Sequence, residues 1–95
     1  MMQLDPSLKE ELERELLLRL KRIEGQVRGI ARMIQDGRSC GEIVLQLAAV
    51  KAAINQVAVN TLVCHLAEAL TSAMAQGRDP KASVAEFVEL FRKFA

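Results

Sequence analysis

The chain has 95 residues, which suits one domain, and its formal net charge of +1 does not by itself indicate a nucleic-acid binder. It lacks tryptophan and tyrosine, has two prolines and shows no β-rich alternating runs, so an all-helical fold is predicted. Two cysteines and a start without signal-like features favour a reducing, cytoplasmic setting with reactive or metal-binding thiols rather than a disulfide.

The first predicted helix runs from about residue 8 to residue 35, after a flexible lead-in over residues 1–7. Asp5 is a candidate helix cap, with Pro6 in the first turn. Apolar residues recur at helical spacing along one face, and basic residues gather on the opposite face. That basic face is either a plain solvated surface or a contact surface for DNA phosphates. Its residues are Arg14, Lys21 and Arg28 at intervals of seven, with Arg22 and Arg32 beside them.

A short connection precedes the second helix, which is predicted from Cys40 to about Ala75. Gly37 suits the position just after a helix, and Ser39 an N-cap with Glu42 at capping-box spacing. Between Cys40 and His65 the helix has only two charges and is apolar on most sides, so other helices must cover it and an oligomer is predicted. A membrane span is not expected, because polar residues interrupt the apolar run. These polar residues are Gln46, Lys51, Asn55, Gln56 and Asn60.

The third predicted helix covers about residues 81–94, after a break at Gly77 and a loop containing Pro80. Its apolar positions are suited to packing across a neighbouring helix. Arg92 and Lys93 give its end a basic character.

Cys40 and His65 are the residues most suited to bind a small ligand. They lie about seven turns apart, near 37 Å in a straight helix, so they cannot meet within one chain. Antiparallel pairing would place Cys40 of one protomer beside His65 of another, and a two-fold dimer would contain two such sites. The plainer interpretation is a buried structural histidine and a small apolar cysteine. Cys64 is about 100° around the helix from His65, so it does not share that face.

Catalysis is not predicted. The sequence offers no Ser-His-Asp set, no paired carboxylates and no phosphate-binding glycine loop, so the chain is not expected to be an enzyme.

Two segments carry a resemblance to a known family: LLLRLKRIEGQVRGIARMI, and LQLAAVKAAIN between the cysteine and the histidine. The chain is similar to the CsoR/RcnR/FrmR family of bacterial repressors over about residues 8–94. The resemblance implies a three-helix protomer, an antiparallel dimer and a tetramer built as a dimer of dimers. It also implies double-stranded operator DNA as a partner, released when an effector binds at the inter-subunit Cys40 and His65 site.

The residue four positions after His65 departs from the metal-sensing pattern. Copper sensors of the family have a second cysteine there, and nickel- and cobalt-type members have a histidine. This chain has Ala69, and Cys64 is the only substitute. The resemblance is therefore greatest to the formaldehyde-responsive branch, in which the cysteine thiolate adds to formaldehyde and an amine closes a methylene bridge.

The chain lacks the N-terminal proline typical of that branch. The amine partner would be the α-amino group of Met1 or a lysine such as Lys9; alternatively, Cys40 links to Cys64 or His65. The main hypothesis is thus a repressor released by formaldehyde, without a cofactor. The alternative is a repressor that responds to Cu(I) or another transition metal through Cys40 and His65.

The family's DNA-contacting positions correspond to four basic residues and one amide, with the end of the third helix extending the patch. Specificity would then come mainly from groove shape and phosphate geometry. The predicted DNA-contacting positions are Arg19, Lys21, Arg22, Lys51 and Asn55, extended by Arg92 and Lys93.

Two other hypotheses compete with an effector-released repressor. One is a structural or metal-binding helical bundle without a DNA role, and the other is a redox switch at Cys40.

Overall fold

The computed structural model describes residues 6–95 and contains three α-helices: α1 (Pro6–Gln35), α2 (Cys40–Ala75) and α3 (Lys81–Phe94). Residues 6–95 include no β-strand, and the predicted all-helical class and helix order are confirmed. α1 begins at Pro6 rather than at residue 8, because a proline fits the first helical turn, where its missing N–H needs no partner. The predicted cap Asp5 lies outside the described residues.

Glycine ends both long helices in a left-handed backbone conformation. Gly37 has φ +73°; its N–H donates to the carbonyl of Ile34 at 3.2 Å, and the N–H of Arg38 donates to Met33 at 3.0 Å. This pair of bonds is the Schellman motif, which satisfies carbonyls left free at a helix end. Gly77, with φ +67°, ends α2 in the same way.

A side-chain cap starts the second helix, and an aspartate just before the N-cap contacts the first turn of the third. The hydroxyl of Ser39 accepts a hydrogen bond from the N–H of Glu42 at 3.2 Å, as an N-cap does. The Glu42 carboxylate accepts a 2.7 Å bond from Nε of Arg38, which ties the connection to the first turn of α2. At α3, Oδ1 of Asp79 accepts a bond from the N–H of Lys81 at 3.0 Å.

The chain divides into two compact units, and α1 and α2 both contribute to each. One unit contains residues 12–57, and its core is Ile23, Ile30 and Val50, with Ile43 and Val57 among the residues packed against it. The other unit combines the chain up to residue 11 with residues 58–95. Whether residues 1–95 behave as the single domain predicted from length stays a prediction.

Most large apolar side chains of the described protomer are in contact with water. Four hydrophobic residues are buried, whereas Leu17 and Leu45 are 66% and 71% exposed and many others exceed a third. By length and composition alone, α2 is long and apolar enough to cross a membrane. Only 6% of the apolar 18-residue stretch that meets this criterion is buried, so the rest of the protomer leaves this helix largely uncovered. An apolar surface of this extent is typical of a protein that binds a partner.

Candidate effector site and DNA-contacting surface

Cys40 is the first residue of α2, directly after the Ser39 cap. Its side chain is exposed and forms no disulfide. The Schellman turn at Gly37 and the Ser39 cap fix the chain immediately before it. The thiol is therefore presented to solvent from a well-defined backbone position.

His65 contacts a carboxylate on the third helix. The imidazole is half-buried, and its Nε2 lies 3.1 Å from Oε1 of Glu86 on α3. A carboxylate only accepts, so in the neutral ring Nε2 carries the hydrogen and the lone pair is at Nδ1. A histidine oriented in this way by a carboxylate is the usual arrangement of a metal ligand.

Glu86 was not among the site residues predicted from the sequence. One signal was available, because Glu86 lies three residues after Ser83 and four before Leu90, both half-buried on α3. Glu86 is exposed and does not require a partner, but from this edge it can reach a side chain on the helix against which α3 packs. Which partner it finds depends on how α3 packs on α2, and the spacing of residues in α3 alone does not determine this.

Cys64 engages different groups from those of its neighbour His65. Its Sγ lies 3.4 Å from Oε1 of Glu68, one turn later on α2. The same oxygen lies 3.5 Å from Nζ of Lys9, near the start of α1. The two residues therefore point in different directions, as their offset around the helix predicts. Lys9, one of the amines considered for an aldehyde bridge, forms an ion pair with Glu68 rather than contacting His65.

A single protomer does not assemble a metal site within residues 6–95. No group of three His, Cys, Asp or Glu side chains suited to a metal occurs there. Cys40 and His65 lie 25 positions apart on one uninterrupted helix. At the place of a third ligand, Ala69 offers no side-chain donor, and its carbonyl accepts a 3.4 Å hydrogen bond from the hydroxyl of Ser83.

The thiol and the imidazole are nevertheless suitable donors for a soft or borderline metal. Thiolate sulfur suits Cu(I), and imidazole nitrogen suits copper, nickel and zinc. The donor chemistry fits such an ion. Because the two donors are far apart on one helix, a site that contains both requires a second protomer.

The basic residues predicted to contact DNA differ in their surroundings. Arg19 is half-buried and contacts Oε1 of Glu15 through Nη2 at 3.0 Å and Nε at 3.3 Å. Arg28 lies 3.8 Å from Glu24, too far for a hydrogen bond. Three other basic residues of α1 are exposed and have no ion pair among the described residues: Arg14, Lys21 and Arg22.

The remaining predicted DNA contacts lie on α2 and α3. Lys51 and Asn55 are exposed one turn apart on α2, in the same unit as Arg19. Arg92 lies 3.8 Å from Glu89, and Lys93 lines an open apolar groove of about 370 Å³ between α2 and α3. Arg92 and Lys93 belong to the other unit, so their place in one patch with Arg19 stays a prediction.

A protein-family comparison finds one match over most of the chain. Residues 13–93 match the family described as metal-sensitive transcriptional repressor. The chain is 42% identical over 76 residues to the copper-sensing transcriptional repressor CsoR of Bacillus subtilis, covering 80% of this chain and 74% of that protein. It is 49% identical over 59 residues to the copper-sensing transcriptional repressor RicR of Mycobacterium tuberculosis, covering 62% of each chain.

Two solved structures are similar to the fold. The nickel-responsive transcriptional regulator InrS has a TM-score of 0.73 at 39% identity, covering 86% of this chain and 91% of that chain. The copper-sensing repressor CsoR with Cu(I) from Geobacillus thermodenitrificans has a TM-score of 0.76 at 37% identity, covering 96% and 93%. These relatives are named as regulators of transcription, in agreement with the prediction that the chain is not an enzyme.

Proposed function

Because the chain belongs to the metal-sensitive transcriptional repressor family, we propose that it is a metal-responsive repressor. It binds double-stranded operator DNA as a homotetramer and leaves the DNA when Cu(I) or another transition metal binds. Its effector site is formed by Cys40 of one protomer and His65 of another. It works in the cytoplasm, with its apolar helix faces covered by other protomers rather than by a membrane.

Contact between His65 and Glu86 is the observation that best supports a metal site. The carboxylate contacts Nε2, which leaves Nδ1 of the neutral ring as the nitrogen that can bind a metal. Cys40 would provide a thiolate, the softer donor. Metal binding then requires the two groups to come together from different protomers. The affinity for the metal therefore depends on how the protomers pack.

The relatives weigh against formaldehyde as the effector. Two are named as copper sensors and a similar solved structure is named as nickel-responsive. The sequence-based choice of formaldehyde depended on Ala69, which removes one donor but leaves the thiol and the imidazole. The metal alternative therefore becomes the main proposal, and the third donor comes from a position other than residue 69.

Operator contact is attributed to the basic positions of α1 together with Lys51 and Asn55. Arg19, Lys51 and Asn55 belong to one compact unit, and most of this set is exposed. Several phosphate contacts per protomer would make affinity fall steeply with salt. A helical bundle without a DNA role is disfavoured, because the similarity to proteins named as repressors covers most of this chain.

The proposal is tested with a fluorescein-labelled duplex that the wild-type protein selects in vitro from a random-sequence library. Cu(I), Ni(II) and formaldehyde are titrated separately while anisotropy reports DNA binding. We expect one metal to weaken binding by roughly 5- to 150-fold, the usual range of allosteric coupling. Cys40→Ala should bind the same duplex and lose this response.

Cys64→Ala is the matched control, since it removes the other thiol. It should retain the metal response, and a loss there would identify Cys64 as the missing donor. Release by formaldehyde alone, abolished in Cys40→Ala, would contradict the metal proposal and restore the aldehyde hypothesis. If no duplex is enriched and no variant binds DNA at low salt, the repressor proposal fails.

A further inference from the structure

One arginine of the proposed DNA surface is already bound to a carboxylate of its own helix. Arg19 contacts Oε1 of Glu15 through both Nε and Nη2. Those two nitrogens form one edge of the guanidinium, an edge that can bind a phosphate with two parallel hydrogen bonds. In the free protein, Glu15 therefore occupies a position that a DNA phosphate would take.

Glu15 also shares a face of α1 with a second predicted contact, two turns further on. Residues 15, 19 and 22 are spaced by four and three, so Glu15, Arg19 and Arg22 share one face of α1. Arg22 is exposed and has no ion pair among the described residues. Glu15 therefore places a negative charge on the face that carries both arginines and lowers its positive potential.

Glu24, the other carboxylate between Arg14 and Arg32 on α1, has different surroundings from Glu15. Glu24 stays 3.8 Å from Arg28, without hydrogen-bond contact. Among the four basic positions Arg19, Lys21, Arg22 and Lys51, Arg19 alone has an ion pair within residues 6–95.

We propose that Glu15 competes with DNA phosphate for Arg19 and thereby limits the affinity of the protein for its operator. This inference rests on the proposed function, because it assigns a role to a residue of the same DNA surface. On binding, the guanidinium exchanges one Oε1 acceptor for phosphate oxygens, and the Glu15 carboxylate returns to water. The released carboxylate then attracts a cation, which offsets part of the counterion release that drives association.

The test variant is Glu15→Gln, which keeps the side-chain size and removes the charge. We expect affinity for the in vitro selected duplex to rise about twofold for each protomer that contacts DNA, the factor expected from an exposed helix pair of this spacing. The dependence of log affinity on log salt should become steeper, since no cation is taken up. Anisotropy titrations at several salt concentrations, without metal, measure both quantities.

Glu42→Gln is the matched control. Glu42 forms a similar contact with Arg38, at 2.7 Å, in the connection between α1 and α2 rather than on the α1 surface. The same loss of charge there should change affinity much less. An equal increase in both variants would mean that any lost negative charge strengthens binding, and would overturn the proposal.

A double-mutant cycle separates competition from general repulsion. In an Arg19→Ala background, Glu15→Gln should lose most of its gain, because no guanidinium remains to be released. An undiminished gain there, or no gain in the single variant, contradicts the competition. If Arg19→Ala abolishes binding while Glu15→Gln has no effect, only this inference fails. If the wild type binds no duplex, the proposed function fails as well.

Discussion

At the scale of single residues, the sequence indicated two candidate donors but not the groups that contact them. Cys40 and His65 were recognisable because they are a thiol and an imidazole in an otherwise apolar helix. Their partners were not predictable, since the contact between His65 and Glu86 joins positions 21 residues apart on different helices. Such a contact depends on how α3 packs, whereas the pair of Glu15 and Arg19 follows from a spacing of four and was overlooked.

Removal of the Glu86 carboxylate should weaken metal binding without changing the donors. Glu86→Ala frees Nε2, so the ring can rotate and exchange tautomers, and metal affinity should fall about 10- to 100-fold. Metal affinity is measured by competition with a chelator of known strength. Glu89→Ala is the control on the same helix, because Glu89 pairs with Arg92 and not with His65. Equal losses in both variants would contradict an orienting role for Glu86.

At the scale of elements, α2 and the end of α1 have the predicted bounds because glycines and a serine cap mark these ends. Gly37 and Gly77 take positive φ, and Ser39 caps α2, all of which the sequence indicates directly. The start of α1 was predicted at about residue 8, two residues late, although Pro6 was also predicted to lie in a first helical turn. The sequence also did not indicate that α1 and α2 would divide between two compact units, since no glycine or proline interrupts either helix at the division.

Gly37→Ala should destabilise the protein by about 1 kcal/mol, because an alanine at φ +73° suffers a steric clash within its own backbone. No other atom lies within 4 Å of the added Cβ, so the cost comes from the backbone alone. Gly41→Ala is the matched change inside α2, where space is also free and alanine favours the helix. It should stabilise by up to about 1 kcal/mol. Urea unfolding at one fixed protein concentration measures both, and the same sign for both would contradict this explanation.

At the scale of the whole molecule, the distribution of exposed apolar residues indicates contacts beyond one protomer. Leu45, Val59 and Val63 recur on the side of α2 opposite to Ile43 and Val50, and all three are exposed. A helix with apolar residues on opposite sides needs partners on both. The apolar pattern of the second helix in the sequence predicts an oligomer, and the exposure of these residues agrees with that prediction. The arrangement of the protomers is not predictable from one chain, because it depends on contacts between chains.

Leu45→Glu should dissociate the oligomer into smaller species, because a carboxylate on this face would lose its water of hydration when protomers pack. Gln46→Glu introduces the same charge at the next residue, about 100° around the helix, and should leave the assembly unchanged. Sedimentation velocity in buffer without detergent distinguishes the two. Wild-type protein that sediments as a monomer, or that floats with lipid vesicles, would contradict assembly through α2.

The unbroken course of α2 constrains how the gene can change. Cys40, Lys51, Asn55 and His65 are carried by one helix without a loop between them. Insertion of one residue would rotate everything beyond it by about 100° and advance it by about 1.5 Å. If these residues have the proposed roles, substitutions could change the effector or the operator one side chain at a time, whereas a single insertion or deletion between Cys40 and His65 would disturb both roles together.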